Sequence, residues 1–204
     1  MESATEVWTA VTATRDARDR VPPGQVVTEK FPVLHVGEVP RYREDLADWD
    51  FRVWGEVDQP VRLSWEELRR LPAREVVVDI HCVTRWSKLG TAWRGVPAAR
   101  VLELAGVKPE ARYVLVHADP DYTTNLPLAD LYRDDVLLAF EYDGRPLEPE
   151  HGFPLRLLVP HRYFWKSAKW VRGLELLRED RPGYWEIRGY HNEANPWKEE
   201  RYGI

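Results

Sequence analysis

Cysteine is almost missing from this sequence: one residue, Cys82, stands against ten tryptophans and nine tyrosines in 204 residues. A single thiol excludes an internal disulfide, so the composition does not call for an oxidising compartment. Long apolar runs are missing as well, which excludes a helical membrane span. The opening stretch, MESATEVWTAVTATRDARDRVPPGQ, has neither an apolar signal core nor a twin-arginine pair. Together these absences predict a cytoplasmic protein. Positive charge is in deficit, with 29 Lys and Arg against 34 Asp and Glu, and the net -5 argues against nucleic acid as a partner. Glycine-rich phosphate loops, G-x-S-x-G, H-E-x-x-H and paired C-x-x-C are all lacking. The histidines are too scattered for a structural zinc site.

What is present is enough apolar material, 44% of residues, for a substantial core. Residues 1–30 read as an extended arm ending in the turn VPPGQ, and residues 31–204 as one domain. FRVWGEVDQPVRLSW alternates like a half-buried strand with a turn at Asp58-Gln59-Pro60. SWEELRRLP carries Ser64 three residues ahead of Glu67, a capping box opening a short helix. VVVDIHC reads as a buried strand ending at the thiol, followed by a loop with Arg85, Trp86, Lys88, Trp93 and Arg94. VPAARVLELAGV predicts a helix capped by Gly106. ARYVLVHA, VLLAFEY, FPLRLLVP and KWVRGLELL read as strands, DPDYTTN as a polar loop, LPLADLYRD as a short helix, and the tail as irregular. No steady beta-alpha rhythm runs through the chain. The expected fold class is therefore α+β: a single mixed domain, strand-rich with short helices.

Two features point to chemistry. Between His151 and Leu174 there is no Asp or Glu, yet Arg156, Arg162, Lys166, Lys169 and Arg172 fall there. Such a stretch in an acidic chain suggests an anion site, with a lysine-protected strand edge as the plainer alternative. Cys82 has three readings: a small buried hydrophobe, a nucleophile beside cations, or a soft metal ligand. Its neighbour His81 is a poor base for it, because adjacent side chains on a strand point to opposite faces.

Four separated segments break the tie: FPVLHVGEVP, HCVTRWS, HGFPLRLLVPHRYFWKSAKWVRG and WEIRGY. In this order the chain resembles the catalytic, molybdenum-cofactor domain of the sulfite oxidase family, in its short bacterial form without a haem domain. The resemblance implies molybdenum and molybdopterin as cofactors, with Cys82 as the thiolate ligand of the metal. It assigns Arg156 and the Ser167-Ala168-Lys169 segment to the pterin and its phosphate. His151, Asp119 and, from the arm, His35 become further pterin contacts. Tyr190 would hydrogen-bond the substrate or an equatorial oxygen ligand, and Arg85 and Lys88, just beyond the thiol, would lower its pKa or face an anionic substrate. The implied reaction is two-electron oxygen-atom transfer, with molybdenum cycling between its VI and IV states.

The likeness breaks at one functional position. Sulfite oxidases proper present an arginine two residues before the arm histidine, where this chain has Val33; Arg85 or Arg188 could take its place. No room remains before Ile204 for the family's C-terminal dimerisation domain, and no export signal opens the chain. The resemblance therefore implies a small oxyanion or an S- or N-oxide as substrate and a separate electron-transfer partner. A non-catalytic molybdopterin- or anion-binding module of the same fold is the alternative. A thiol enzyme using Cys82 with His81 or His151 as base is a third.

Overall fold

The computed structural model describes residues 17–203; the part of the arm before them lies outside the described residues. Two sheets organise the chain. In the first, β5 (Trp86–Pro97) is flanked by β1 (Val26–Val27), β4 (Arg74–His81) and β8 (Leu137–Tyr142), and β8 continues to β9 (Arg145–Pro146) and β10 (Arg156–Leu158). The second runs β3-β2-β11-β6-β7, built from β2 (Asp50–Gly55), β3 (Val61–Ser64), β6 (Tyr113–Ala118), β7 (Tyr122–Pro127) and β11 (Val171–Leu177). Pairing is antiparallel except for β1 with β5 and β2 with β11. With two short helices, α1 (Trp65–Arg70) and α2 (Ala98–Ala105), this is an α+β fold.

Local sequence explains most of these elements. The Ser64 hydroxyl accepts from the Glu67 backbone while the Glu67 carboxylate accepts from the Ser64 backbone, so α1 starts with a complete capping box. Helix α2 follows directly from β5 through Pro97 and stops at Gly106, whose φ is 66°. Its apolar face, Ala98, Val101, Leu102 and Ala105, is buried. Strand β8 is apolar without alternation because both faces of its sheet are covered. Leu138 and Phe140 enter the main core with α2 and the second sheet, whereas Leu137 and Ala139 enter a second cluster with Ile80, Trp93 and Leu158.

Two expectations change. The stretch after Cys82 is a loop only to Arg85; Trp86 then begins β5, a strand whose buried face includes Ser87, Thr91 and Trp93. Its polar members are satisfied internally: Thr91 donates to the Val78 carbonyl at 2.6 Å and receives the Trp93 indole at 2.8 Å. The polar run YTTN forms β7, because Thr124 and Asn125 are buried and bonded to Glu186, Asp180 and Asn192 of the tail. Hydrogen bonds to distant residues make these polar side chains good interior members, which a hydropathy pattern does not register.

From residue 17 the arm lies on the first sheet. Arg20 grips Asp79 of β4 through Nε at 2.9 Å and Nη2 at 2.5 Å, and Val26–Val27 run parallel to Trp86–Ser87.

Candidate active site

A cavity of about 290 Å³ opens where the arm, the turn after β4, the β10 region and the tail meet, with Trp86 of β5 and Tyr122 of β7 also in its wall. The arm supplies Phe31, Pro32 and Leu34 to Val36, the turn after β4 supplies Cys82 to Thr84, and β10 with the segment after it supplies Arg156 and Ser167 to Trp170. The tail adds Trp185 and Tyr190. The cavity thus collects residues more than 150 positions apart in sequence, His35 and Tyr190 among them.

Cys82 is buried at the end of β4, with 7% of its surface exposed. Burial pushes its thiol up, opposed by the Thr84 hydroxyl, which donates to Sγ at 3.2 Å, by the Thr84 and Val83 backbone N–H groups, and by the Arg201 charge. A thiol in that environment is a weak nucleophile by itself. His81 cannot activate it: the ring is buried, its Nδ1 pairs with the Ser87 hydroxyl at 2.8 Å, and burial pulls its pKa down to about 4. What such a sulfur can do is bind a cation, since a metal deprotonates a coordinating thiol outright.

The cationic side of the cavity is unusual. Arg156 is 1% exposed, and its guanidinium donates to the His151 carbonyl at 2.8 Å and the Ser167 carbonyl at 2.9 Å. It rests 4.4 Å above the Phe164 ring, and its Nε has no protein partner. Lys169 donates to the Glu150 carbonyl. Among the described residues neither cation forms a salt bridge. Burial pulls Arg156 down to about 9, so it remains charged at neutral pH. Burial first, and the Arg156 charge second, pull Lys169 down to about 7. A buried guanidinium and a half-buried ammonium, neither in a salt bridge, are costly unless an anion joins them.

Seven of the ten residues picked out in the sequence line this cavity: His35, Cys82, Arg156, Ser167, Ala168, Lys169 and Tyr190. Three do not. His151 stands behind the wall, stacked on Phe31 at 4.0 Å with Nε2 3.2 Å from the Phe31 carbonyl. Asp119 belongs to a separate surface pocket, where it accepts from Tyr42 at 2.8 Å and Arg172 at 3.0 Å. Arg85 closes the turn with its backbone, donating to the Cys82 carbonyl at 3.0 Å, and its side chain is exposed beside Gly24. Arg188 folds onto the Tyr184 ring at 3.6 Å and does not reach the cavity.

The donor set suits an anionic, sulfur-bearing ligand with a metal: a lone thiol, two unpaired cations, and the orphaned Arg156 Nε and Trp86 indole N–H. Residues 36–185 match the family model described as the oxidoreductase molybdopterin binding domain. The chain belongs to this family. Its sulfite oxidase-type fold also matches the sulfane dehydrogenase SoxCD from Paracoccus pantotrophus, with a TM-score of 0.60 and 25% identity over 72% of this chain and 40% of that one. The uncharacterized oxidoreductase YuiH of Bacillus subtilis is 52% identical over 187 residues, 92% of this chain and 94% of that protein. MsrP of Campylobacter jejuni, a protein-methionine-sulfoxide reductase catalytic subunit, is 27% identical over 73% of this chain and 57% of its own length. The cofactor of this oxidoreductase domain is molybdenum with molybdopterin.

Several wall residues escaped the sequence reading, chiefly Trp165, Trp185, Tyr122 and Thr84. Trp165 is oriented by Glu186, whose Oε1 accepts its indole at 2.9 Å and also takes the buried Lys166 ammonium at 2.7 Å. Nothing in a linear pattern links residue 165 to 186. The only signal is the density of aromatics in the tail.

Proposed function

We propose that the domain reduces a small neutral S-oxide, with two electrons and two protons converting it to the sulfide and water. Cys82 ligates molybdenum in this reading. Arg156, Lys169, Ser167 and Ala168 hold the pterin and its phosphate. A guanidinium suits bidentate contact and an ammonium a point charge. The Ser167 hydroxyl accepts from the Val159 backbone at 2.8 Å and keeps its own O–H to donate. His35 approaches from the arm and His151 braces Phe31 from behind the wall, while Asp119, held with Arg172 in the separate pocket, does not contact the cofactor in this reading. When bound, the molybdenum centre supplies the two-electron couple and the oxygen acceptor.

The protein's own part is orientation and protonation. Burial, with Tyr202 and Cys82 nearby, pushes the Tyr190 phenol up, so it stays an O–H donor across the neutral range. Its ring packs against Trp185 at 4.7 Å and Trp165 at 5.1 Å, which aims the hydroxyl from a fixed position. Tyr190 thus donates a hydrogen bond to the substrate oxygen. The aromatic rings exclude water and suit an apolar sulfide product.

The observation that carries the reading is the shared cavity of a lone thiol and two cations without counter-ions. The choice of a neutral substrate rests on the mouth: neither Arg85 nor Arg188 lines it, and Val33 occupies the arm position of the sulfite-gripping arginine. An anionic substrate with Arg85 as its partner is therefore the weaker option. The activity would be cytoplasmic and draw electrons from a separate protein partner.

Protein made in a host with an intact cofactor pathway tests this. Near-stoichiometric molybdenum, pterin fluorescence on denaturation, and turnover of sulfoxides with a reduced dye in preference to sulfite are expected. Protein without metal and pterin would refute the reading, and sulfite turned over faster than any sulfoxide would refute the substrate. Full metal occupancy with no turnover of sulfoxides, N-oxides or sulfite would favour the non-catalytic module, for which the missing arm arginine speaks.

A further inference from the structure

The turn that carries Cys82 is held by both ends of the described chain. The Gln25 amide nitrogen donates to the Cys82 carbonyl at 3.0 Å and to the Trp86 carbonyl at 3.1 Å, spending both its N–H bonds on the two sides of the turn. Its amide oxygen accepts from Arg201 Nη2 at 3.1 Å. Arg201 also donates Nη1 to the Val83 carbonyl at 2.7 Å, one residue from the thiol. The guanidinium lies 4.9 Å from the Tyr163 ring, in the same apolar cluster as Cys82. Arg201 is 7% exposed, and its nearest carboxylate, on half-exposed Glu199, is 3.7 Å away.

The hydrogen bonds of these two side chains run to the turn and to each other, apart from a longer one from Arg201 Nη2 to the Pro23 carbonyl at 3.5 Å. A surface clasp would need no buried guanidinium beside a sulfur. We propose that Gln25 and Arg201 are positioning residues for Cys82: they fix the turn that aims the sulfur, and Arg201 keeps a permanent positive charge beside the thiolate. The proposal rests on Cys82 being the molybdenum ligand. Hydrogen bonds behind a ligand fix its orientation, and their loss typically costs about 10–100-fold in metal affinity or activity. A fixed cation also stabilises the more reduced, more negative metal centre, so its removal lowers the reduction potential.

The test compares full-length, cofactor-loaded Arg201→Met, Arg201→Lys, Gln25→Glu and Cys82→Ser with the parent protein. Molybdenum content, the paramagnetic Mo(V) signal and the reduction potential are read, with circular dichroism as the check on folding. Gln25→Glu keeps an acceptor for Arg201 but replaces both donors to the turn with a carboxylate, so it removes the positioning bonds and adds a negative charge beside Arg201. Expected are at least a 10-fold loss of metal retention in Arg201→Met and Gln25→Glu, a lowered potential in metal-bearing Arg201→Met, and restoration of that potential by Arg201→Lys. If Cys82→Ser changes the Mo(V) signal while Arg201→Met and Gln25→Glu keep parental metal content, signal and potential, the clamp is wrong and the ligand assignment stands. If Cys82→Ser leaves the signal unchanged, the ligand assignment itself fails. Should Arg201→Met unfold, Gln25→Glu decides: parental metal retention in a folded protein overturns the clamp.

Discussion

Lys169 and Arg156 make opposite demands on the same space, since each cation raises the cost of the other. With burial they bring Lys169 to about 7 in the cofactor-free protein. An anionic phosphate beside it would favour the ammonium, so binding takes up a proton once the pH exceeds that value. Cofactor uptake should then be full below pH 7 and weaken as pH rises through 8. Lys169→Arg should abolish that dependence, and pterin binding followed across pH 6 to 9 checks it. Arg156→Lys should not rescue function: one ammonium cannot reach the His151 and Ser167 carbonyls and still face the cavity as a fork. Molybdenum content should drop at least tenfold. At this scale the sequence was informative where chemistry is carried by residue type. A lone cysteine at a strand end and an acid-free basic stretch are both visible in one dimension. Gln25 and Arg201 were not, because a glutamine in an arm and an arginine in a tail acquire meaning only when 176 positions of chain close between them.

Short elements depend on their ends, and two ends here invite measurement. Ser64→Ala removes the hydroxyl that caps α1 and should cost about 1 kcal/mol, seen as a lower urea midpoint with unchanged cofactor content. Gly152→Ala should do more. Gly152 has φ 115°, and a Cβ there would meet Arg156 Cβ at 3.0 Å and Lys169 Cβ at 3.2 Å. Strain of roughly 1–3 kcal/mol is expected, together with a fall in cofactor content because both cations shift. Retained content in a destabilised protein would separate the two effects. Periodicity and capping made α1, α2, β6, β8 and β11 legible. It missed β7 and most of β5, whose buried threonines, serine and asparagine are satisfied by residues elsewhere in the fold. Alternation rules see hydropathy; they do not see a distant hydrogen-bond partner.

Across the whole molecule, one buried carboxylate ties the second sheet together. Asp50 of β2 accepts from Arg52 on its own strand, Arg62 of β3 and Arg172 of β11, and Arg172 passes the link on to Asp119 and Tyr42. Burial by itself would raise the Asp50 pKa, but the three guanidinium hydrogen bonds outweigh it and hold the carboxyl well below its ordinary range. A depressed folded-state value contributes stability that is full above the unfolded pKa of about 3.9 and is lost progressively as pH falls from there through the lower folded-state value. Acid unfolding should therefore steepen below pH 4, and Asp50→Asn should lower stability at pH 7 while flattening the acid limb. Urea titrations from pH 3 to 7 read both.

Both ends of the described chain close over the sulfur, two cations share its cavity, and the mouth is aromatic. That account stands on one bond, from the sulfur of Cys82 to molybdenum. X-ray absorption at the molybdenum edge counts sulfur neighbours directly. The parent protein should show one more sulfur than Cys82→Ser at equal metal content; an identical sulfur count in the two would contradict the account.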